Sequence, residues 1–241
     1  EVNDTEAGSL ARKGERLVFA NLLMAEVLMA AGIKGGDEIT RLKGSDLAGT
    51  VCAHPWRGQG YEFDVPLLVA DHVTTEAGTG LVHIAPGHGA EDYVAGIVAG
   101  LEVPETVDGD GTYFPHVPLF AGLHVFKANE PVADSLEQAG ALLAKGKLVH
   151  SYPHSWRSKA PLIFRNTPQW FIGMEINGLR DKALKAIAET EFYPPSGRNR
   201  LNGMIESRPD WCVSRQRAWG VPITVFVNKK SGEPLRDASV M

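Results

Sequence analysis

An imidazole and a carboxylate flank one glycine-rich turn in residues 78–93 of this 241-residue chain. His83 lies within a short apolar run that predicts a strand, and Pro86-Gly87-His88-Gly89 predicts a turn. The acidic residues that follow, including Asp92, predict the first turn of a helix. Backbone N–H groups of a glycine turn and a helix N-terminus can form a polar pocket. The pattern therefore suits recognition of a small ligand that carries an ammonium group.

Each of these side chains also has a simpler explanation. A histidine on a strand is more often a core residue than a catalyst, and a carboxylate near a helix start is stabilised by the helix dipole. His83 and His88 could be two ligands of a metal ion, which would suit a small metallohydrolase. No third ligand stands at a suitable spacing, so we expect no metal here and expect His88 to support the loop.

Several short apolar runs, separated by Gly- and Pro-bearing turns, alternate irregularly with amphipathic stretches. This mixture favours an α+β fold over a regular alternation of strands and helices. The predicted strands are 17–20, 38–42, 51–54, 65–69 and 81–85, and the predicted helices are 22–31, 91–101, 129–143 and 176–187.

Composition is that of a folded protein, with 44% hydrophobic residues in 241. No apolar run is long enough to span a bilayer, so we expect no membrane partner. The two cysteines, Cys52 and Cys212, form no disulfide framework, which favours a reducing, cytoplasmic location. Because the chain begins with Glu1, we interpret it as a piece of a longer protein.

The net charge is −5, but charge is distributed unevenly along the chain. Residues 1–144 contain 8 Lys and Arg against 21 Asp and Glu, whereas residues 145–217 contain 13 against 6. A basic segment of this kind can contact a phosphate backbone, although it can also be a solvated surface. A non-catalytic RNA-binding module is therefore one possible function.

Four stretches of the chain also resemble the isoleucyl-tRNA synthetases, in order and in approximate spacing. Residues 78–93 resemble the signature of the editing site in that family. The other three are Ser151-Tyr152-Pro153-His154-Ser155-Trp156-Arg157, Thr167-Pro168-Gln169-Trp170-Phe171-Ile172, and the run from Arg208-Pro209-Asp210-Trp211 to Trp219-Gly220-Val221-Pro222.

The resemblance implies a fold and a division of the chain. It implies an editing-domain β-barrel of the valyl, leucyl and isoleucyl type with peripheral helices. Residues 1–193 would be the editing domain, and residues 194–241 a return limb toward the synthetase core. The threonine-rich wall of the editing pocket and the ATP-binding signatures of the family do not occur in this sequence.

The resemblance also assigns roles to individual residues. Asp92 would hold the α-ammonium group of the aminoacyl ester, and His83 would limit the size of its side chain. Thr79, Gly80 and His88 would line the same substrate pocket. The acceptor end of the tRNA would meet five basic residues: Arg157, Lys159, Arg165, Arg215 and Arg217.

The implied reaction is hydrolysis of valyl-tRNA(Ile), with tRNA(Ile), the valyl group and the rest of the synthetase chain as partners. No Ser-His-Asp or Cys-His arrangement appears, so we expect a positioned water and no cofactor. Ser155 and Ser158 replace cysteines that bind zinc in some relatives, so ATP and any zinc would belong to the parent enzyme outside this segment. A valyl or leucyl editing domain is the nearest alternative, which His83 and the turn disfavour.

Overall fold

The structure, a computed structural model, describes residues 1–76, 78–215, 221–237 and 239–240. These parts of the chain contain six short strands and five α-helices, which confirms the expected α+β composition. The strands are β1 (Val2–Thr5), β2 (Ile33–Gly36), β3 (Val51–Ala53), β4 (Asp64–Pro66), β5 (Phe171–Ile172) and β6 (Trp211–Cys212). The helices are α1 (Met24–Ala30), α2 (Ala90–Val98), α3 (Asn129–Gln138), α4 (Leu179–Glu189) and α5 (Ser196–Glu206).

The expected closed β-barrel is wrong. Within the described residues the strands form three separate two-stranded antiparallel sheets, β1 with β2, β3 with β4 and β5 with β6. The apolar runs 17–20, 38–42 and 81–85 are not strands. An apolar run becomes a strand only when a neighbouring backbone pairs with it, and the sequence pattern does not report that neighbour.

Two compact units divide the chain, Glu1–Asn166 and Thr167–Met241. The first unit has its main core beside the β1–β2 sheet, where Val2, Ala11, Ala31 and Ile33 are buried against one another. Helix α1 precedes β2 and ends at Ala30, one residue before the predicted end, and Gly32 follows with a φ of 62°, a left-handed conformation that glycine adopts without strain.

A cluster of rings lies next to the β3–β4 sheet in the same unit. His54 stacks on Tyr61 with 4.6 Å between ring centroids, and Trp56 and Phe63 pack edge-on or tilted around them. Trp56 also meets Phe120 at 5.1 Å and is buried. Aromatic burial of this kind stabilises the long loop between β3 and β4.

The second unit contains the β5–β6 sheet and two helices, α4 and α5, that pack on each other. The Arg180 guanidinium donates to the carbonyl oxygens of Glu206 and Arg208, at 3.1 and 2.8 Å, and so satisfies the C-terminal end of α5. The proposed functional boundary at 193/194 falls between these helices and stays a prediction. No helix in the described residues is both long and apolar enough to cross a bilayer.

Candidate functional site

The turn before helix α2 is built as the sequence predicted, and the helix begins one residue earlier than expected. Gly89 is extended at φ −148° and ψ 144°, and α2 starts at Ala90. The Pro86 ring packs directly on the helix at Gly96, where a Cβ would come within 2.6 Å of Pro86 Cγ. A residue with a side chain at that position would push the turn away from the helix, so Gly96 allows the close approach.

Asp92, in the first turn of α2, points back toward the segment that precedes the turn. Its Oδ2 accepts a hydrogen bond from the backbone N–H of Ala85 at 3.0 Å. Its Oδ1 lies 3.9 Å from Nε2 of His72, and both side chains are about one quarter exposed. The carboxylate is thus anchored through Oδ2, and the side chain as a whole remains partly accessible.

His83 is exposed, and it lies close enough to His54 in the aromatic cluster to affect its titration. Burial lowers the pKa of His54 from its usual 6.5, and the charge of His83 lowers it further. The role of the exposed His83 ring as a pocket wall stays a prediction.

Thr79 and Gly80 form a tight contact with the segment before α1. The carbonyl of Thr79 accepts a hydrogen bond from the Ala20 N–H at 2.7 Å. Gly80 has φ +79°, and a Cβ there would lie 2.6 Å from Ala20 Cβ. The Thr79 hydroxyl turns locally, donating to the Leu81 carbonyl at 3.1 Å. These contacts hold residues 79–80 against the segment before α1, and their assignment to the substrate pocket stays a prediction.

His88 uses both ring nitrogens within the protein. Nδ1 lies 2.7 Å from the carbonyl oxygen of Phe164, and Nε2 lies 2.9 Å from the Thr106 hydroxyl. This bonding agrees with the interpretation that His88 supports the loop. Its assignment to the substrate pocket stays a prediction.

The basic residues expected to bind RNA differ in their surroundings. The Arg157 guanidinium lies 4.7 Å from the centroid of the exposed Trp156 ring, and Lys159 is exposed on a turn at φ 59°. Arg165 is half-buried and donates to the Val107 carbonyl at 3.3 Å. In the second unit, Arg215 donates to the carbonyls of Cys212 and Ser214. Arg217 lies outside the described residues.

The structure brings only part of the predicted set together. Among the described residues, no hydrogen bond or ion pair joins Asp92 to His83, Thr79 or His88. The same part of the chain contains no group of three or more His, Cys, Asp or Glu arranged to hold a metal. Sequence reasoning missed His72, which has no motif around it and is identified only by its position opposite Asp92.

The chain belongs to a known family. The family model for tRNA synthetases class I (I, L, M and V) matches residues 3–241. The chain is a class I tRNA synthetase segment. That family model does not describe an editing β-barrel, which agrees with the open sheets of the structure.

Within this class I family the segment is similar to isoleucine–tRNA ligases, which confirms the resemblance drawn from the four stretches. It is 54% identical over 95% of its length to the enzyme of Pelagibacter ubique (strain HTCC1062) and 52% identical over 100% to that of Gluconobacter oxydans (strain 621H). The enzyme of Caulobacter vibrioides (strain ATCC 19089 / CIP 103742 / CB 15) is 49% identical over 95%. The chain spans about a quarter of the length of these relatives.

Proposed function

We propose that this class I synthetase segment carries the hydrolytic editing site of an isoleucine–tRNA ligase, with valyl-tRNA(Ile) as its substrate. The observation that supports it most is the Asp92 carboxylate, which is fixed through Oδ2 by the Ala85 N–H and whose side chain is about one quarter exposed. An ionised carboxylate held in this way is suited to bind an α-ammonium group by a charge-assisted hydrogen bond. The ammonium is what every aminoacyl ester presents, whatever its side chain.

Selection of the smaller amino acid requires a pocket wall that excludes the larger side chain. Isoleucine and valine differ by one methylene, worth about 1–3 kcal/mol in a binding pocket, and discrimination against valine by isoleucyl enzymes is the standard example of this limit. A second site that admits only the smaller side chain supplies the missing specificity. We assign this wall to the exposed ring of His83, which lies seven residues before the start of α2 at Ala90.

The chemistry is ester hydrolysis by water. A water oxygen attacks the carbonyl carbon, the bond between that carbon and the ribose oxygen breaks, and the ribose oxygen leaves as a hydroxyl after taking up a proton. Asp92 binds the amino group and does not attack the ester. The neighbouring hydroxyl of the terminal ribose assists the water, and the hydrolytic step needs no cofactor.

The tRNA acceptor end is the proposed macromolecular partner. Arg157 and Lys159 are its best-placed contacts, because both are exposed and Arg157 stacks beside the exposed Trp156 ring. An exposed aromatic next to a guanidinium can stack on a base while the cation meets phosphate. Arg165 and Arg215, which donate to backbone carbonyls, remain proposed contacts. So does Arg217, which lies outside the described residues.

Deacylation by the full-length synthetase that contains this segment tests the proposal. Asp92→Ala should abolish release of valine from valyl-tRNA(Ile) while isoleucine activation continues at the wild-type rate. Glu91→Gln is the matched control, since it removes the adjacent, exposed carboxylate of the same helix turn. Near-normal deacylation by the Asp92→Ala enzyme would contradict the proposal and favour a segment that only binds RNA.

A further inference from the structure

One buried nitrogen in the candidate site lacks a partner. Nε2 of His72 is shielded from solvent and makes no hydrogen bond to the described residues. The other such atom, Trp56 Nε1, lies in the aromatic cluster. His72 Nε2 instead faces Asp92, whose Oδ1 is 3.9 Å away.

This separation is slightly too long for a hydrogen bond, which needs about 2.7–3.2 Å between nitrogen and oxygen. An unpaired polar atom that is buried costs free energy, so a small rotation that closes the gap is favourable. The negative charge of Asp92 favours the tautomer in which Nε2 carries the proton, because only that tautomer can donate to a carboxylate. The imidazole is therefore poised to donate toward Oδ1.

The two oxygens of Asp92 then face two different protein donors. Oδ2 is held by the Ala85 N–H at 3.0 Å from the segment before the turn, and Oδ1 faces His72 from the segment after β4. A carboxylate oxygen has two lone-pair sites, so Oδ1 can accept from His72 and from a ligand at once. Two anchors fix the plane of the carboxylate, which one anchor does not.

We propose that His72 is a positioning residue of the editing site: its Nε2–H orients Asp92 so that the free lone pair of Oδ1 meets the α-ammonium of the aminoacyl ester. This inference rests on the proposed function. Its Nε2 does not touch the substrate, because this nitrogen is shielded from solvent by the protein. Nε2 also cannot activate the attacking water, for the same reason.

Three substitutions in the full-length synthetase separate this role from simple packing. His72→Gln places an amide nitrogen close to the position of Nε2, His72→Asn reaches only the position of Nδ1, and His72→Leu keeps bulk without a donor. Each is assayed for kcat and KM on valyl-tRNA(Ile), with Asp92→Asn as the reference and isoleucine activation as the check on folding.

The second substrate is 2-hydroxyisovaleryl-tRNA(Ile), in which a hydroxyl replaces the α-ammonium. On valyl-tRNA(Ile), the Leu and Asn variants should lose about 10-fold or more in kcat/KM, since a displacement of about 1 Å is enough for losses of this order, and Gln should stay within about 3-fold of wild type. On the hydroxy ester, the losses of the His72 variants should be much smaller, because the hydroxyl keeps a hydrogen-bond donor but lacks the positive charge that Asp92 binds.

The outcomes separate the positioning role of His72 from the proposed editing function. Loss of deacylation in Asp92→Asn with wild-type rates in all His72 variants would overturn the positioning role and leave the proposed function intact. Equal losses on both esters, or a Gln variant as slow as the Leu variant, would show that His72 only fills space. Unchanged deacylation in Asp92→Asn would overturn both.

Discussion

The backbone N–H of Ala85 donates to Asp92 Oδ2 at 3.0 Å, across the turn that separates them. This bond joins the segment before the turn to the first turn of α2, so both segments fix the position of the carboxylate. A carboxylate near a helix N-terminus is also stabilised by the helix dipole. Asp92 is therefore oriented before any ligand arrives, which lowers the cost of binding an ammonium group.

The contact between Gly80 and Ala20 gives a first prediction. Gly80→Ala should lower the free energy of unfolding for two reasons: a left-handed conformation costs a residue with a Cβ about 1–2 kcal/mol, and the new methyl would lie 2.6 Å from Ala20 Cβ. Such overpacking typically adds about 1–3 kcal/mol. Urea denaturation of the two proteins measures the difference.

Gly78→Ala is the matched control for that experiment. Gly78 has a similar φ of +73°, but no described atom lies within 4 Å of the Cβ position. This variant should therefore show only the conformational cost, and Gly80→Ala should be the less stable of the two. Equal losses of unfolding free energy in the two variants would show that the close approach to Ala20 does not restrict the residue at position 80.

The sequence predicted α2 and its acidic first turn well, because glycine, proline and carboxylates mark a helix start through backbone chemistry that acts locally. It failed for the run 81–85, which is apolar but has no paired strand beside it. Val94, Ile97 and Val98 form an apolar face of α2, and that face is exposed. Periodicity reports which residues share a face, and does not report what covers that face.

Prediction of the candidate site from the sequence meets the same limit. Asp92 and His83 were found through a motif that is contiguous in sequence. The partner of Asp92 at position 72 and the link from His83 to His54 depend on segments far apart in the chain, which only the folded structure brings together. Contacts between segments far apart in the chain cannot be predicted from the spacing of residues within a motif.

The lowered pKa of His54 gives a second prediction, on pH. Below the usual value of 6.5 the unfolded chain takes up a proton at this residue that the folded chain resists, because of burial and the charge of His83. The free energy of unfolding should be fully retained above pH 6.5 and should fall as the pH drops through 6.5 toward the lowered pKa, by at most about 1.4 kcal/mol per pH unit.

Denaturation of wild type and His54→Phe between pH 5 and 7.5 measures that contribution, since phenylalanine keeps the ring and cannot titrate. The stability difference between the two should change in favour of His54→Phe as the pH falls. By NMR titration, His83→Gln should bring the pKa of His54 closer to 6.5. A His54 pKa at or above 6.5 in the wild type would refute the burial argument.

A third prediction concerns zinc. The family resemblance implies that Ser155 and Ser158 replace zinc-binding cysteines, and their hydroxyls accept backbone N–H groups within the turn, from Ser158 at 3.3 Å and from Ala160 at 3.4 Å. A hydroxyl is a poor zinc ligand beside a thiolate. Elemental analysis of the purified protein, after dialysis against zinc and then buffer, should find far less than about one zinc per chain. A stoichiometric zinc would show that other ligands complete a site.

The last prediction separates a steric role of His83 from an acid–base role. If the exposed ring is a wall, His83→Ala enlarges the pocket by most of an imidazole, and an isoleucyl side chain, one methylene larger than valyl, then fits. The full-length synthetase with this change should hydrolyse its own product, isoleucyl-tRNA(Ile), while still removing valine from valyl-tRNA(Ile). Specificity that comes from a clash disappears with the clash, whereas the attraction of Asp92 for the ammonium group is unaffected.

A general base at position 83 predicts the opposite, since both deacylations would fall, typically by about 100-fold or more. The two rates are compared in the one variant, with His83→Phe as the control that keeps a ring of similar size without an acid–base group. The Phe variant should still spare isoleucyl-tRNA(Ile), because the wall remains. Intact isoleucyl-tRNA(Ile) together with a collapse of valyl-tRNA(Ile) hydrolysis in His83→Ala would show that the imidazole acts in the chemistry and not as a wall.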